Sequence, residues 1–174
     1  MAAASLTGLA QSRLRFAVFA LLACNTAYYL YAGPLSKGLD AAGWFVLLLL
    51  YAREASGAAY LRALRAVRLI AAAAVCAASI AYVMERESLD AINSGLWIVV
   101  VVLLEIEVRR PRDVARFRPW FAAAAAMLYT ALALLVVAWG WRREWLDAYD
   151  ALLWLVAFAI IEMDVLATRQ TGGA

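Results

Sequence analysis

Long apolar blocks separated by short polar connections run along nearly the whole chain. A helix that crosses the hydrocarbon core of a bilayer needs roughly 20 residues, most of them apolar. The pattern predicts six membrane-spanning helices, at about 15–33, 41–53, 66–84, 91–108, 119–140 and 148–166. The second block is the shortest, and charged residues follow it at once. We therefore expect an all-α integral membrane protein whose residues 1–174 form a single membrane domain.

Two helix boundaries follow from backbone chemistry. Gly33-Pro34 ends the first block, because glycine favours the C-terminal end of a helix and proline cannot continue one. Pro119 lies where the first turn of the fifth helix is expected, a position that tolerates proline.

Composition excludes several classes of protein. Of the 174 residues, 67% are apolar and 17% are charged, whereas soluble domains are roughly 45–50% apolar and about 25% charged. The chain contains no histidine, which excludes imidazole catalysis, histidine-ligated haem and the common zinc sites. Nucleophile-elbow and phosphate-loop motifs are missing as well. We expect a protein that is not an enzyme, with no cofactor, no metal and no nucleic-acid partner.

Both cysteines lie inside apolar blocks, and we interpret Cys24 and Cys76 as small buried hydrophobic residues. Cys24 ends a stretch similar to the cleavage box of bacterial lipoproteins. Because the apolar run continues to Tyr31, we expect an uncleaved helix there.

The distribution of basic residues predicts the orientation. Twelve arginines fall on one side of the membrane, whereas one lysine and three arginines fall on the other. Cytoplasmic loops are the ones enriched in lysine and arginine. We expect a bacterial-type inner membrane protein with both termini in the cytoplasm.

An internal repeat links the second, fourth and sixth blocks. At the start of each of these blocks a Leu-Asp-Ala triplet leads to a tryptophan and then to a glutamate, and the block before it opens with arginines. The copies are Leu39-Asp40-Ala41 with Trp44 and Glu54, Leu89-Asp90-Ala91 with Trp97 and Glu105, and Leu146-Asp147-Ala148 with Trp154 and Glu162. We predict three parallel helical hairpins, at about 13–54, 65–107 and 116–164, in an approximately pseudo-threefold arrangement, with a simple open layer as the alternative.

Most of the repeated residues have a structural interpretation. Asp40, Asp90 and Asp147 precede the predicted helices and are expected to cap their free amide groups. The tryptophans of the three copies are expected in an interfacial aromatic belt. That belt also includes Tyr28, Tyr29, Tyr31, Tyr82, Trp139 and Trp141, and the hydroxyls expected to bond across helices belong to Thr26, Ser79 and Thr130.

Acidic residues at the other end of these helices are the functional candidates. Charges near the hydrocarbon need partners, so we expect a ring of ion pairs with arginines of the neighbouring helices. Its candidate members are Glu54, Glu105, Glu107, Glu162, Asp164, Arg15, Arg68 and Arg118. Glu162 and Asp164 have no basic residue three or four positions onward, which leaves open a proton or cation site.

One arginine cluster invites comparison with a known family. The segment 62–68 resembles the arginine-every-third pattern of the voltage-sensing helix of voltage-gated channels, and Tyr51 with Glu54 resembles the aromatic and acid pair of the sensor's second helix. Here the arginines begin a helix at its cytoplasmic end instead of lying within the membrane. A segment that faces anionic lipid head groups agrees better with that position.

Together these patterns predict a multi-pass membrane protein with a structural or accessory role. Its expected partners are the lipid bilayer and either another membrane protein or a second copy of the chain. The alternative is a small proton or cation transporter that uses the acidic residues at the cytoplasmic helix ends.

Overall fold

A computed structural model describes the backbone of residues 2–55 and 62–171, and the side chains of 12–53, 64–107, 109–110 and 112–160. All regular structure in these residues is helical. The helices are α1 (Ala2–Ala32), α2 (Leu35–Ala55), α3 (Arg62–Glu85), α4 (Ser88–Arg109), α5 (Pro111–Arg116), α6 (Arg118–Trp141) and α7 (Trp145–Thr171).

Within the described residues, five helices are long and apolar enough to cross a membrane. These segments are Ser12–Ala32, Leu35–Arg53, Leu64–Glu85, Ser88–Glu107 and Arg118–Trp141. The sixth predicted span falls in α7 and extends past Ile160, beyond which the side chains lie outside the described residues. The prediction of a sixth span therefore stays a prediction.

Both predicted helix boundaries are confirmed. Helix α1 ends at Ala32 and α2 begins at Leu35, directly after Gly33-Pro34, and Pro119 is the second residue of α6. The connection between α4 and α6 contains the six-residue helix α5, which the hydropathy pattern did not indicate because it is too short and too polar to stand out.

The chain forms two compact units. The first comprises Met1–Ala78 and Leu153–Ala174, and the second comprises Ser79–Leu152. Helices α3 and α7 each contribute one part to each unit.

In the first unit, glycines allow α2 to lie close to its neighbours. A Cβ added to Gly38 would lie 3.3 Å from the carbonyl oxygen of Tyr29 in α1. One added to Gly43 would lie 2.8 Å from Cγ2 of Val75 and 3.0 Å from the carbonyl oxygen of Ala71, both in α3. Small residues at helix interfaces are what allow membrane helices to pack closely.

In the second unit, α4 packs against α6, and α5 contacts both of these helices. A buried apolar cluster joins the C-terminal half of α6 to the first turns of α7. Its members are Leu135, Trp139, Ala148 and Ala151, with Leu89, Leu96 and Val136 packed against it.

Two helix-connecting turns of this unit have the same backbone geometry. After α3, Glu87 N–H donates to the Tyr82 carbonyl at 3.0 Å, and Arg86 has φ 63°. After α6, Glu144 N–H donates to the Trp139 carbonyl at 3.0 Å, and Arg143 has φ 64°. Each is a Schellman ending, with an arginine in the left-handed position that glycine usually occupies.

The turn after α1 differs because of its proline. Pro34 stands where the other two turns have a glutamate whose N–H closes the helix, and proline has no N–H to donate. Gly33 N–H instead bonds the Tyr29 carbonyl at 3.0 Å.

Counting from the first residue of α2, α4 and α7 shows a common pattern. The fourth and seventh residues are small and the tenth is tryptophan in all three helices. The fourth residues are Gly38, Ala91 and Ala148, the seventh are Ala41, Ser94 and Ala151, and the tenth are Trp44, Trp97 and Trp154. All of these residues are buried except Ala91, which is half-buried.

This burial corrects the expected aromatic belt. Trp44, Trp97 and Trp154 are only 7%, 4% and 7% exposed, so they belong to the packed interior. Tyr29, Tyr82 and Trp139 are buried too, whereas Tyr28, Tyr31 and Trp141 are exposed as a belt requires. Sequence position gives the depth of an aromatic residue along a helix, but its direction depends on packing.

The close approach at Gly43 predicts a large effect of one methyl group. Gly43→Ala places a Cβ against Val75 and the Ala71 carbonyl, and we expect a loss of about 1–3 kcal/mol in the free energy of unfolding. Gly95→Ala is the matched control, because nothing lies within 4 Å of the added Cβ. Unfolding in mixed detergent micelles measures both; equal effects of the two variants would contradict the assigned packing.

The positive φ of Arg86 and Arg143 predicts a difference in stability between glycine and alanine variants at these positions. Arg86→Gly and Arg143→Gly remove the Cβ that opposes a positive φ, whereas Arg86→Ala and Arg143→Ala keep it. At each position we expect the glycine variant to be about 1 kcal/mol more stable than the alanine variant. Arg142, with φ −76°, is the control position, where the same comparison should favour alanine.

Candidate functional site

Glu105 and Glu107, two members of the predicted ring, are exposed on α4. Glu105 forms an ion pair with Arg109, one helical turn onward, and the two side chains are 54% and 74% exposed. The Arg109 guanidinium donates a hydrogen bond to Oε1 of Glu105. This local pair satisfies Glu105 without an arginine from another helix, and exposed pairs of this spacing contribute only about 0.3–0.5 kcal/mol to stability.

The other members of the predicted ring lie on five helices. Arg15 is exposed on α1, Arg68 is half-buried on α3, and Arg118 is exposed as the first residue of α6. The backbones of Glu54 in α2 and of Glu162 and Asp164 in α7 are helical, but their side chains lie outside the described residues. The ring as a whole therefore stays a prediction.

The expected helix caps lie inside the helices that they were expected to precede. Helix α2 begins directly after Pro34, so Asp40 is its sixth residue and lies in the second turn, too far along to cap it. Asp90 and Asp147 lie in the first turns of α4 and α7, where a carboxylate is favoured by the positive end of the helix dipole. Glu87, the N-terminal cap residue of α4, forms no side-chain capping bond.

Counting from the helix starts gives the first copy of the predicted repeat a register different from that of the Leu-Asp-Ala triplet. The sixth residues of α2, α4 and α7 are Asp40, Asn93 and Asp150, so Asp40 corresponds to Asn93 and not to Asp90. All three side chains are half-buried. Within the described residues, Oδ1 of Asn93 is buried without a hydrogen-bond partner.

Counting from the first residue of each helix also changes which acidic residues share the same helix position. Glu54, Glu107 and Asp164 are each the twentieth residue of their helix, whereas Glu105 and Glu162 are the eighteenth. Sequence comparison missed Asn93 and Asp150 because it followed the Leu-Asp-Ala triplet. Alignment on the tryptophans and on the Tyr29, Tyr82 and Trp139 positions would have found them.

One of the predicted interhelical hydroxyls does bond across helices. Ser79 Oγ of α3 lies 2.6 Å from Ser94 Oγ of α4, and the Ser94 side chain is completely buried. Thr130 instead donates to the carbonyl of Ala126 in its own helix at 2.7 Å and is exposed. The expectation of an interhelical bond for Thr130 was therefore wrong, because the residue faces away from the packed side of α6.

No group of three or more histidine, cysteine, aspartate or glutamate side chains able to hold a metal ion occurs among the described residues. Cys24 and Cys76 are both exposed, contrary to the expectation of burial. The described part of the chain includes a hydrogen bond between the hydroxyls of Ser79 and Ser94 and an exposed ion pair between Glu105 and Arg109.

The hydroxyl pair predicts a measurable coupling. We expect Ser79→Ala and Ser94→Ala to be coupled by about 0.6 kcal/mol in a double-mutant cycle, the average for such bonds in membrane proteins. Thr130→Ala combined with Ser94→Ala is the control and should be additive, because Thr130 bonds within its own helix. Additivity of the two serine variants in the free energy of unfolding would show that their contact contributes nothing.

Comparisons of the chain with protein-family models, with curated proteins and with solved structures find no match.

Proposed function

We propose that the chain is a multi-pass inner-membrane protein with a structural or accessory role, exercised through contacts with lipid and with another membrane protein or a second copy of itself. The observation that carries the proposal is a difference in location: uncharged polar side chains bond one another between helices, whereas a charged side chain at a helix end is exposed. The half-buried hydroxyl of Ser79 bonds the buried hydroxyl of Ser94, while Glu105 is exposed and paired within its own helix.

The exposed apolar surface supports a role inside the bilayer. Large apolar side chains are exposed on α1, α2, α3, α4, α6 and α7, and water would make such a surface unfavourable. In lipid the same side chains face hydrocarbon at no cost, and packing between helices depends on small residues. The glycine, alanine and serine positions at the fourth and seventh residues of α2, α4 and α7 agree with that requirement.

We further propose six spans in three parallel hairpins, with pseudo-threefold character and both termini in the cytoplasm. Support comes from the common helix register and from the two Schellman turns, in which Arg86 and Arg143 occupy equivalent positions. An open layer of hairpins, which would keep the same turns, is the competing arrangement.

Transport of protons or cations is the second candidate function. It is favoured by the recurrence of an acidic residue at the twentieth position of each of these helices, at Glu54, Glu107 and Asp164. Acidic residues at equivalent depths in repeated helices are typical of ion pathways.

A flux measurement separates the two functions. We expect proteoliposomes that contain the full chain to show proton and potassium fluxes equal to those of protein-free vesicles. Glu107→Gln and Glu162→Gln should then change nothing, and Glu144→Gln, an exposed acid of the connection between α6 and α7, is the matched control.

The transport function would replace the accessory one under a specific result. That result is a flux above background that Glu107→Gln or Glu162→Gln abolishes while Glu144→Gln leaves it unchanged. A folding control is the unfolding midpoint of each variant in detergent.

A further inference from the structure

The connection between α4 and α6 carries the densest group of basic residues in the part of the chain that the structure describes. Five arginines and a single acid occur within residues 109–118. The arginines are Arg109, Arg110, Arg112, Arg116 and Arg118, and all five are exposed. Arg109 forms an ion pair with Glu105, so the other four arginines, on and beside α5, are the ones available to a ligand.

Backbone hydrogen bonds hold this connection in a defined shape. Arg110 N–H donates to the Ile106 carbonyl at 2.8 Å, and its own carbonyl accepts from Asp113 and Val114. Phe117 N–H then donates to the Asp113 carbonyl at 3.1 Å, and the chain enters α6 at Arg118. The arginines therefore project from a short helix and its caps.

Aromatic side chains place the connection at the edge of the membrane. Trp120 and Trp141 are 77% and 89% exposed near the two ends of α6, and their separation of 21 positions corresponds to a rise of about 32 Å. That length matches the hydrocarbon thickness of roughly 30 Å, so the two indoles mark its two interfaces. Phe117 and α5 then lie just outside the hydrocarbon, at the depth of the lipid head groups.

The guanidinium groups at this depth have few protein partners. Among the described residues, Arg110, Arg112 and Arg118 form no ion pair, and the Arg116 guanidinium lies 5.4 Å from the centre of the Phe117 ring. A guanidinium presents several donors in a geometry that matches phosphate oxygens. An anionic phosphate surface would supply the acceptors that the chain does not.

We propose that α5 and the residues beside it, 110–118, form a binding surface for the phosphate groups of anionic phospholipids. Trp120 lies beside the first carbons of the acyl chains, and Arg110, Arg112 and Arg116 contact head-group oxygens. The inference rests on the proposed membrane-embedded function and adds the class of lipid and the residues that bind it.

Charge balance distinguishes this surface from the connections at the other end of the membrane. Arg86 has Glu85 and Glu87 beside it, and Arg142 and Arg143 are followed by Glu144, so three arginines there accompany three acids. Arg110, Arg112 and Arg116 have only Asp113 among them. Two sets of three exposed arginines thus differ mainly in their local net charge, which provides a matched control.

The test uses the full chain in a neutral detergent and follows its thermal unfolding midpoint. Short-chain phosphatidylglycerol should raise the midpoint in a concentration-dependent way, because a ligand of the folded state stabilises it. Short-chain phosphatidylcholine, inorganic phosphate and a polyglutamate peptide at matched concentrations should raise it less.

Substitution should remove the preference for the anionic lipid. For Arg110→Gln/Arg112→Gln/Arg116→Gln we expect the apparent affinity for phosphatidylglycerol to fall by roughly 100-fold, at about fivefold for each arginine. The control variant Arg86→Gln/Arg142→Gln/Arg143→Gln should keep most of the affinity. If the first variant does not fold, the parent protein in 0.5 M salt provides the second measurement, since screening should weaken the phosphatidylglycerol effect in the same direction.

Three results would overturn the proposal: equal stabilisation by the two lipids, equal losses in the two triple variants, or a polyglutamate peptide or inorganic phosphate as effective as phosphatidylglycerol. The peptide result would assign the surface to an acidic protein partner. The flux measurement is independent of all three, so an ion-conducting chain would contradict the accessory function without affecting the lipid preference.

Discussion

Close approach between helices at small side chains is the constraint on which the described structure depends. Where apolar side chains face lipid, burying them between helices gains little, so association depends on van der Waals contact and on hydrogen bonds between helices. Gly43 against Val75 and Ala71 in the first unit, and Ser94 against Ser79 in the second, are the clearest cases. At Gly43 an added Cβ would meet Val75 and the Ala71 carbonyl, and at Ser94 the completely buried side chain bonds the hydroxyl of Ser79.

Sequence analysis located helices better than it located their first residues. It found the break at Gly33-Pro34 and the start of α6 because proline and glycine act on the backbone locally. It placed the start of α2 at 41, although the helix begins at Leu35. The first turns of a membrane helix lie at the interface, where polar residues such as Lys37 are tolerated, so hydropathy rises later than the helix begins.

The candidate site was predicted less well, and the reason is helical register. A triplet such as Leu-Asp-Ala can recur at different distances from the start of a helix, as it does in α2 and α4, and the sequence does not show where each helix starts. The exposure of a side chain was also predicted poorly from the sequence. Thr130 occupies the expected depth in α6 but points away from the neighbouring helices. Depth along a helix follows from counting residues, whereas direction around the helix requires knowledge of what it packs against.

The arginines at the two Schellman positions show how membrane depth outweighs local backbone preference. Glycine would adopt the positive φ of Arg86 and Arg143 more easily, by about 1–2 kcal/mol. An arginine directly after a helix gains from the negative end of the helix dipole, by about 0.3–1 kcal/mol. It also resists movement of the turn into hydrocarbon, where a charge costs at least about 2.5–3.5 kcal/mol near the centre. The interaction with the dipole offsets part of the backbone strain, and the charge opposes burial of the turn; glycine would provide neither effect. A charged residue directly after α3 and directly after α6 therefore opposes movement of each of these turns into hydrocarbon.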